Sequence, residues 1–136
     1  MTESESSQKY FLIVDDLEHQ RIAMKTAIQA VVPRSEFIEA SNFNGALEIV
    51  KGKTDPIDLA VVDLKLSDND EQGIELIRTI KREYHRRGAK TILITAYPDE
   101  KNRIMANEAG ADGYISKLND SVTVELQDMI RKLLGL

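Results

Sequence analysis

Cysteine is absent from the chain, which excludes disulfides, thiolate catalysis and cysteine-ligated metals together. No apolar run approaches the ~20 residues that a membrane-spanning helix needs. Nor does any basic run resemble a DNA-reading helix or an RNA-binding stripe. The net charge is −5, from 18 basic against 23 acidic residues, so direct nucleic-acid binding by this chain is not expected. Linkers, low-complexity blocks and internal repeats are also lacking. The opening Met1-Thr2-Glu3-Ser4-Glu5-Ser6-Ser7-Gln8 is polar and acidic with no apolar core, so it is not a signal peptide. It reads as a disordered tail over residues 1–8, on a cytoplasmic protein.

What is present fits one domain. The length of 136 residues suits a single hydrophobic core, and 42 % hydrophobic residues can fill it. Strand-like apolar runs alternate with helical stretches five times over residues 9–136. The strand candidates are Tyr10–Val14, Glu36–Ala40, Ile57–Val62, Thr91–Ile94 and Gly113–Ile115. The first, third and fourth are almost continuously apolar, as strands covered on both faces should be. Met24, Ile28 and Val31 form a helical stripe that Pro33 stops. Phe43, Leu47 and Val50 form a second, ended by Gly52. Ile74, Ile77, Ile80 and Tyr84 form the clearest, with Gly88 as its C-terminal cap. Val122, Leu126, Met129 and Leu133 form the last. The fourth helix, Asp99–Ala109, has few apolar positions, so its buried face is thin and it should be held less firmly. Repeated alternation predicts an α/β fold, a doubly wound parallel sheet with right-handed crossovers and order 2-1-3-4-5.

In such sheets sites form beyond the carboxyl ends of the strands, where strand order reverses. Asp15 and Asp16 follow strand one, and Asp63 follows strand three, its neighbour at the reversal. Thr95 ends strand four and Lys117 lies just past strand five. Three converging carboxylates repel and call for a counter-charge. A hard divalent cation supplies it, and Mg2+ favours a few carboxylates together with water and phosphoryl oxygens. One carboxylate can then attack phosphorus, giving an aspartyl phosphate. Phosphoryl transfer needs mainly positioning and charge neutralisation, which Mg2+, the Lys117 ammonium and the Thr95 hydroxyl would provide. Asp63, single and at a strand end, suits the nucleophile; Asp15 and Asp16 suit the metal.

Each residue alone has a plainer explanation. An Asp pair opening a helix is commonly a cap, and a lone Asp at a strand end a turn residue. Thr95 could be a cap and Lys117 a solvated lysine. The coincidence of all five on one edge favours chemistry. His19 and His85 sit in polar helical context and read as surface residues.

Four segments together resemble the receiver domains of bacterial two-component response regulators. They are Leu12-Ile13-Val14-Asp15-Asp16, Leu59-Ala60-Val61-Val62-Asp63-Leu64, Ile92-Leu93-Ile94-Thr95-Ala96-Tyr97 and Ala109-Gly110-Ala111-Asp112-Gly113-Tyr114-Ile115-Ser116-Lys117. The resemblance implies a flavodoxin-like (βα)5 domain that is a phosphoacceptor switch, not an enzyme acting on other molecules. It implies that Asp63 takes a phosphoryl group from a histidine kinase or a histidine phosphotransfer protein. It implies that Asp15, Asp16, Asp63 and the Lys65 backbone carbonyl surround magnesium. Thr95 and Tyr114 would be the switch pair, remodelling the face of helix four, strand five and helix five. That face is where a downstream protein target or a second copy in a homodimer would bind. Ala96 leaves room for the phosphate. Lys65 and Tyr97, both bulky and beside the site in the family, are expected to hinder the attacking water. The chain departs from the family in a long acidic loop between Asp63 and Gly73, and in Leu118 where relatives usually have a cis proline. Since a non-proline cis bond costs ~3 kcal/mol, a trans bond is expected there. With no effector domain after Leu136, the chain reads as free-standing, with output by protein contact or phosphorelay. The alternative is a receiver-shaped interaction module that works without phosphorylation.

Overall fold

A computed structural model describes residues 8–64, 66 and 71–136. Within them five strands alternate with five α-helices: β1 (Lys9–Val14), α1 (Glu18–Val31), β2 (Ser35–Ala40), α2 (Phe43–Gly52), β3 (Leu59–Asp63), α3 (Gln72–Glu83), β4 (Lys90–Thr95), α4 (Glu100–Ala109), β5 (Gly113–Ser116) and α5 (Val122–Leu134). The strands form one parallel sheet in the order β2-β1-β3-β4-β5. The expected fold class and strand order are both found.

Successive strand residues point to opposite faces, and the chain uses this to build two cores. Leu12, Val14, Ala60, Val62 and Leu93 face α2, α3 and α4, where Val50, Ile74, Ile77, Ile80 and Ala106 meet them. Phe11, Ile13, Leu59, Val61, Ile92 and Ile94 face α1 and α5, meeting Met24, Ile28, Leu126 and Ile130. Strands β1, β3 and β4 are inside on both faces, which explains their unbroken apolar composition.

The first two helices end where the sequence reading put them, and the third ends earlier. Helix α1 ends at Val31 and Val32 is its C-cap, because the residue before Pro33 is pushed out of the helical region. Gly52 is the last residue of α2, and the left-handed cap is Lys53 (φ 55°). Helix α3 stops at Glu83; a single 3-10 turn, His85–Arg87, follows, and Gly88 (φ 68°) caps that turn. Asp99 caps α4, its carboxylate accepting from the Asn102 amide at 2.8 Å. Only Ala106 and Ala109 of α4 are buried, so its thin inner face is as expected. His19 and His85 are exposed, as read from their context. The tail expected over residues 1–8 lies, apart from Gln8, outside the described residues, as does most of the acidic loop before Gly73.

Candidate functional site

Strand register alone carries the key residues to one rim. Val14 pairs with Val62, Asp63 with Ile94 and Thr95 with Ser116. One residue further along β1 is Asp15, and one further along β5 is Lys117. Asp63 is itself the last residue of β3, one position later than the sequence reading ended that strand.

The three carboxylates converge. Asp15, Asp16 and Asp63 offer oxygens that all lie within 4.8 Å of one another, a hard-donor set of the kind a small divalent cation takes. Their settings differ: Asp15 is fully buried, Asp63 is 7 % exposed, and Asp16 is exposed. A buried carboxylate persists only when it is paired and hydrogen-bonded. Asp15 meets both demands. One oxygen accepts from the Leu17 amide at 3.0 Å, and the other accepts from the Lys117 ammonium at 2.9 Å. Its main-chain carbonyl accepts from Arg21 at 2.7 Å. The Asp pair is therefore no simple cap: the N-cap position of α1 is Leu17, which gives no side-chain bond.

Lys117 spans the rim. Its ammonium lies 2.9 Å from Asp15, 3.2 Å from Asp63, and also donates to the Gln20 side chain. The lysine is fixed from behind, since its own amide donates to the Thr95 carbonyl at 2.7 Å. No cis peptide bond occurs among the described residues, so the Lys117–Leu118 bond is trans as expected. Leu118 turns outward and is 69 % exposed, its amide donating to the Ser116 hydroxyl at 3.1 Å. The trans loop still brings Lys117 onto both carboxylates.

Thr95 is fully buried. Its hydroxyl oxygen accepts from the Tyr97 amide at 2.8 Å, which occupies a lone pair and leaves the O–H to donate. Tyr114 is half-buried, and its hydroxyl is enclosed with no hydrogen-bond partner among the described residues. Burial raises its pKa above the ordinary value, and the Asp99 carboxylate adds to the rise. An enclosed, unpaired hydroxyl costs about 1–3 kcal/mol, so this ring sits in a position that other arrangements can better. Lys65, whose carbonyl was expected at the metal, lies outside the described residues.

The sequence reading missed two contributors. Gln20 and Arg21 both reach back from the first turns of α1 to the site. The signal for them was positional: both follow the Asp pair by about one helical turn. Gly73 is the other unnoticed requirement. A Cβ there would lie 2.4 Å from the Asp63 carbonyl and 2.6 Å from Leu64 main-chain atoms, so only glycine lets the start of α3 pack against the end of β3.

Residues 11–131 match the family model of the response regulator receiver domain. The chain is 35 % identical over 109 residues to the chemotaxis protein CheY of Halobacterium salinarum, covering 80 % of this chain and 84 % of that one. It is 36 % identical over 107 residues to the KDP operon transcriptional regulatory protein KdpE of Escherichia coli, covering 78 % of this chain and 43 % of that one. It is 29 % identical over 113 residues to the transcriptional regulatory protein ResD of Bacillus subtilis, covering 83 % of this chain and 43 % of that one. The chain thus spans less than half the length of these two transcriptional regulators. Among solved structures, a CheY-like response regulator receiver domain protein from Methanospirillum hungatei superposes with a TM-score of 0.78 at 29 % identity, over 95 % of both chains.

Proposed function

This chain belongs to the response regulator receiver family, and from that premise we propose that it is a switch driven by phosphorylation of Asp63. The observation that carries the proposal is the Lys117 ammonium held between Asp15 and Asp63, with Thr95 on the adjoining strand. In the reaction the Asp63 carboxylate forms an oxygen–phosphorus bond. The donor's bond to phosphorus breaks, and its electron pair leaves with the donor, a phosphohistidine of a histidine kinase or phosphotransfer protein. Asp15, Asp16, Asp63 and the Lys65 carbonyl would hold Mg2+, which supplies charge neutralisation for the phosphoryl oxygens when bound. Lys117, already within 3.2 Å of the Asp63 carboxylate, would add its own positive charge. The Thr95 O–H is available to donate to the new phosphoryl group.

Output follows from the other end of the same device. A Thr95 hydroxyl drawn to the phosphoryl group would pull on the Tyr97 amide that donates to it, and so on the segment that leads into α4. Tyr114, whose hydroxyl has no partner among the described residues, is the side chain suited to repack as α4 shifts. The face of α4, β5 and α5 would then bind a downstream protein or a second copy of the chain. Tyr97, 54 % exposed, would hinder the attacking water, and Tyr97→Ala is expected to shorten the phosphorylated state. Among the described residues no helix is long and apolar enough to cross a membrane.

The test is intact mass after incubation with a small-molecule acyl phosphate, with and without Mg2+. The expected result is one phosphoryl adduct in the wild type that disappears in Asp63→Ala and without the metal. An adduct that survives in Asp63→Ala would refute the assignment. No adduct under conditions that label another receiver would favour a phosphorylation-independent interaction module.

A further inference from the structure

We infer that Gln20 is a positioning residue of this site, holding the Lys117 ammonium on the two carboxylates. The inference rests on the phosphorylation reading for its consequence, although the contact itself stands apart from it.

An ammonium has three N–H donors and a four-carbon stem with many rotamers. Asp15 and Asp63 take two of the donors. The Gln20 amide oxygen takes the third, so the lysine head is fully satisfied with only 17 % of its side chain exposed. Two acceptors alone would leave the head free to roll about them. A third, from a different element, fixes its orientation. The need for such a tether is visible nearby. Lys117 and Gln20 border a cleft of about 190 Å³ between α1 and α5, whose floor is Met24, Ala27, Ile94 and Leu126. That volume is several times the ~30 Å³ share of one water molecule, so there is room beside the site for the lysine stem to swing away. The main chain on either side of the lysine is held, but the Leu118 side chain points to solvent and does not pack against the lysine stem. Gln20 stands where it blocks that escape. An ammonium that wanders would leave charge on the phosphoryl oxygens unbalanced at the moment of transfer.

Gln20→Leu keeps the size and removes the acceptor, on a surface that is already apolar. Losing one hydrogen bond to a charge predicts a rate of Asp63 phosphorylation by acyl phosphate that falls roughly tenfold. Gln20→Glu, which keeps an acceptor, is expected to restore most of the rate. In a Lys117→Met background, Gln20→Leu is expected to have no further effect, because a residue acting through Lys117 has nothing left to position. A second readout needs no phosphorylation: the Lys117 side-chain ammonium signal in proton–nitrogen spectra of metal-free protein should be visible in the wild type and broadened away in Gln20→Leu. Should Gln20→Leu not fold, Gln20→Met takes its place. Wild-type rate in the single variant, or additive slowing in the double variant, overturns the inference. If the wild-type chain takes no phosphoryl group, the functional reading falls, and the ammonium signal alone decides this one. Its loss in the variant upholds the tether and its persistence refutes it.

Discussion

Helices α3 and α4 are neighbours on the same face of the sheet, yet they are held in opposite ways. Helix α3 buries Ile74, Leu76, Ile77 and Ile80 along most of its length, and it begins against the main chain of Asp63 and Leu64 through Gly73. Helix α4 buries two alanines and leaves Ile104 47 % exposed. Since packing of an apolar face supplies most helix stability, α3 is a fixed wall of the site and α4 is an attachment that can shift at small cost. The same split runs through their tyrosines. Tyr84, after α3, is buried and its hydroxyl donates to the Asp55 carbonyl at 2.9 Å; Tyr114, against α4, has an enclosed hydroxyl with no partner among the described residues. A site with one firm wall and one loose one can convert a local charge change into movement in a single direction.

The sharpest way to break this contrast is in the core. Ile77→Ala is expected to cost about 2–5 kcal/mol in urea unfolding, while Ala106→Gly costs about 1 kcal/mol. Similar costs would mean that α4 is not the weaker helix. Amide exchange should agree, faster in α4 than in α3. Next is Gly73→Ala, whose added methyl meets backbone that cannot give way. It is expected to lose about 1–3 kcal/mol and to slow phosphorylation by displacing Asp63, as read by denaturation and intact mass. A stable, normally labelled variant would show that the start of α3 does not hold the acceptor.

The tyrosines make a smaller test with a sign. Tyr84→Phe strands the Asp55 carbonyl and should cost about 1 kcal/mol, whereas Tyr114→Phe removes an unsatisfied group and should be neutral or stabilising. Equal losses would refute the view of Tyr114 as poised. Smallest is Glu39, on β2, where Lys25 chiefly, with Arg21, holds its pKa below the ordinary 4.5. A lowered carboxylate contributes stability above its unfolded value and loses it as pH falls through the folded one. Its side chain is 35 % exposed, so solvent screening limits the pair to about 0.5 kcal/mol or less. Glu39→Gln should therefore lower the melting temperature slightly at pH 7, and by progressively less as pH falls below 4.5.

Much of this was legible from residue order. Unbroken apolar strands, the 3.6-residue stripes and the few apolar positions of Asp99–Ala109 sufficed for the fold and for the thin buried face of α4, because both follow from which residues can be buried. Asp15, Asp63, Thr95 and Lys117 could be placed on one rim because a parallel sheet brings strand ends together. Gln20 could not be found that way: a glutamine one turn into a helix is ordinary, and its meaning depends on a lysine 97 residues further on. Gly73 was hidden for a similar reason, since the close approach it permits lies between segments whose spacing sequence does not state. The end of α3 was misplaced by a few residues because a 3-10 turn lies between Glu83 and Gly88.

The bond from Lys117 to Asp15 joins residues 102 positions apart. During synthesis the aspartates leave the ribosome long before the lysine that balances them, and β1 gains β3 as a neighbour well before β5 arrives. Asp15, bound for a fully enclosed position, thus waits without its counter-charge until the final strand docks. On the proposed function, a chain that stalls or is clipped before residue 117 would carry Asp63 without the ammonium that balances it, and would make a poor acceptor.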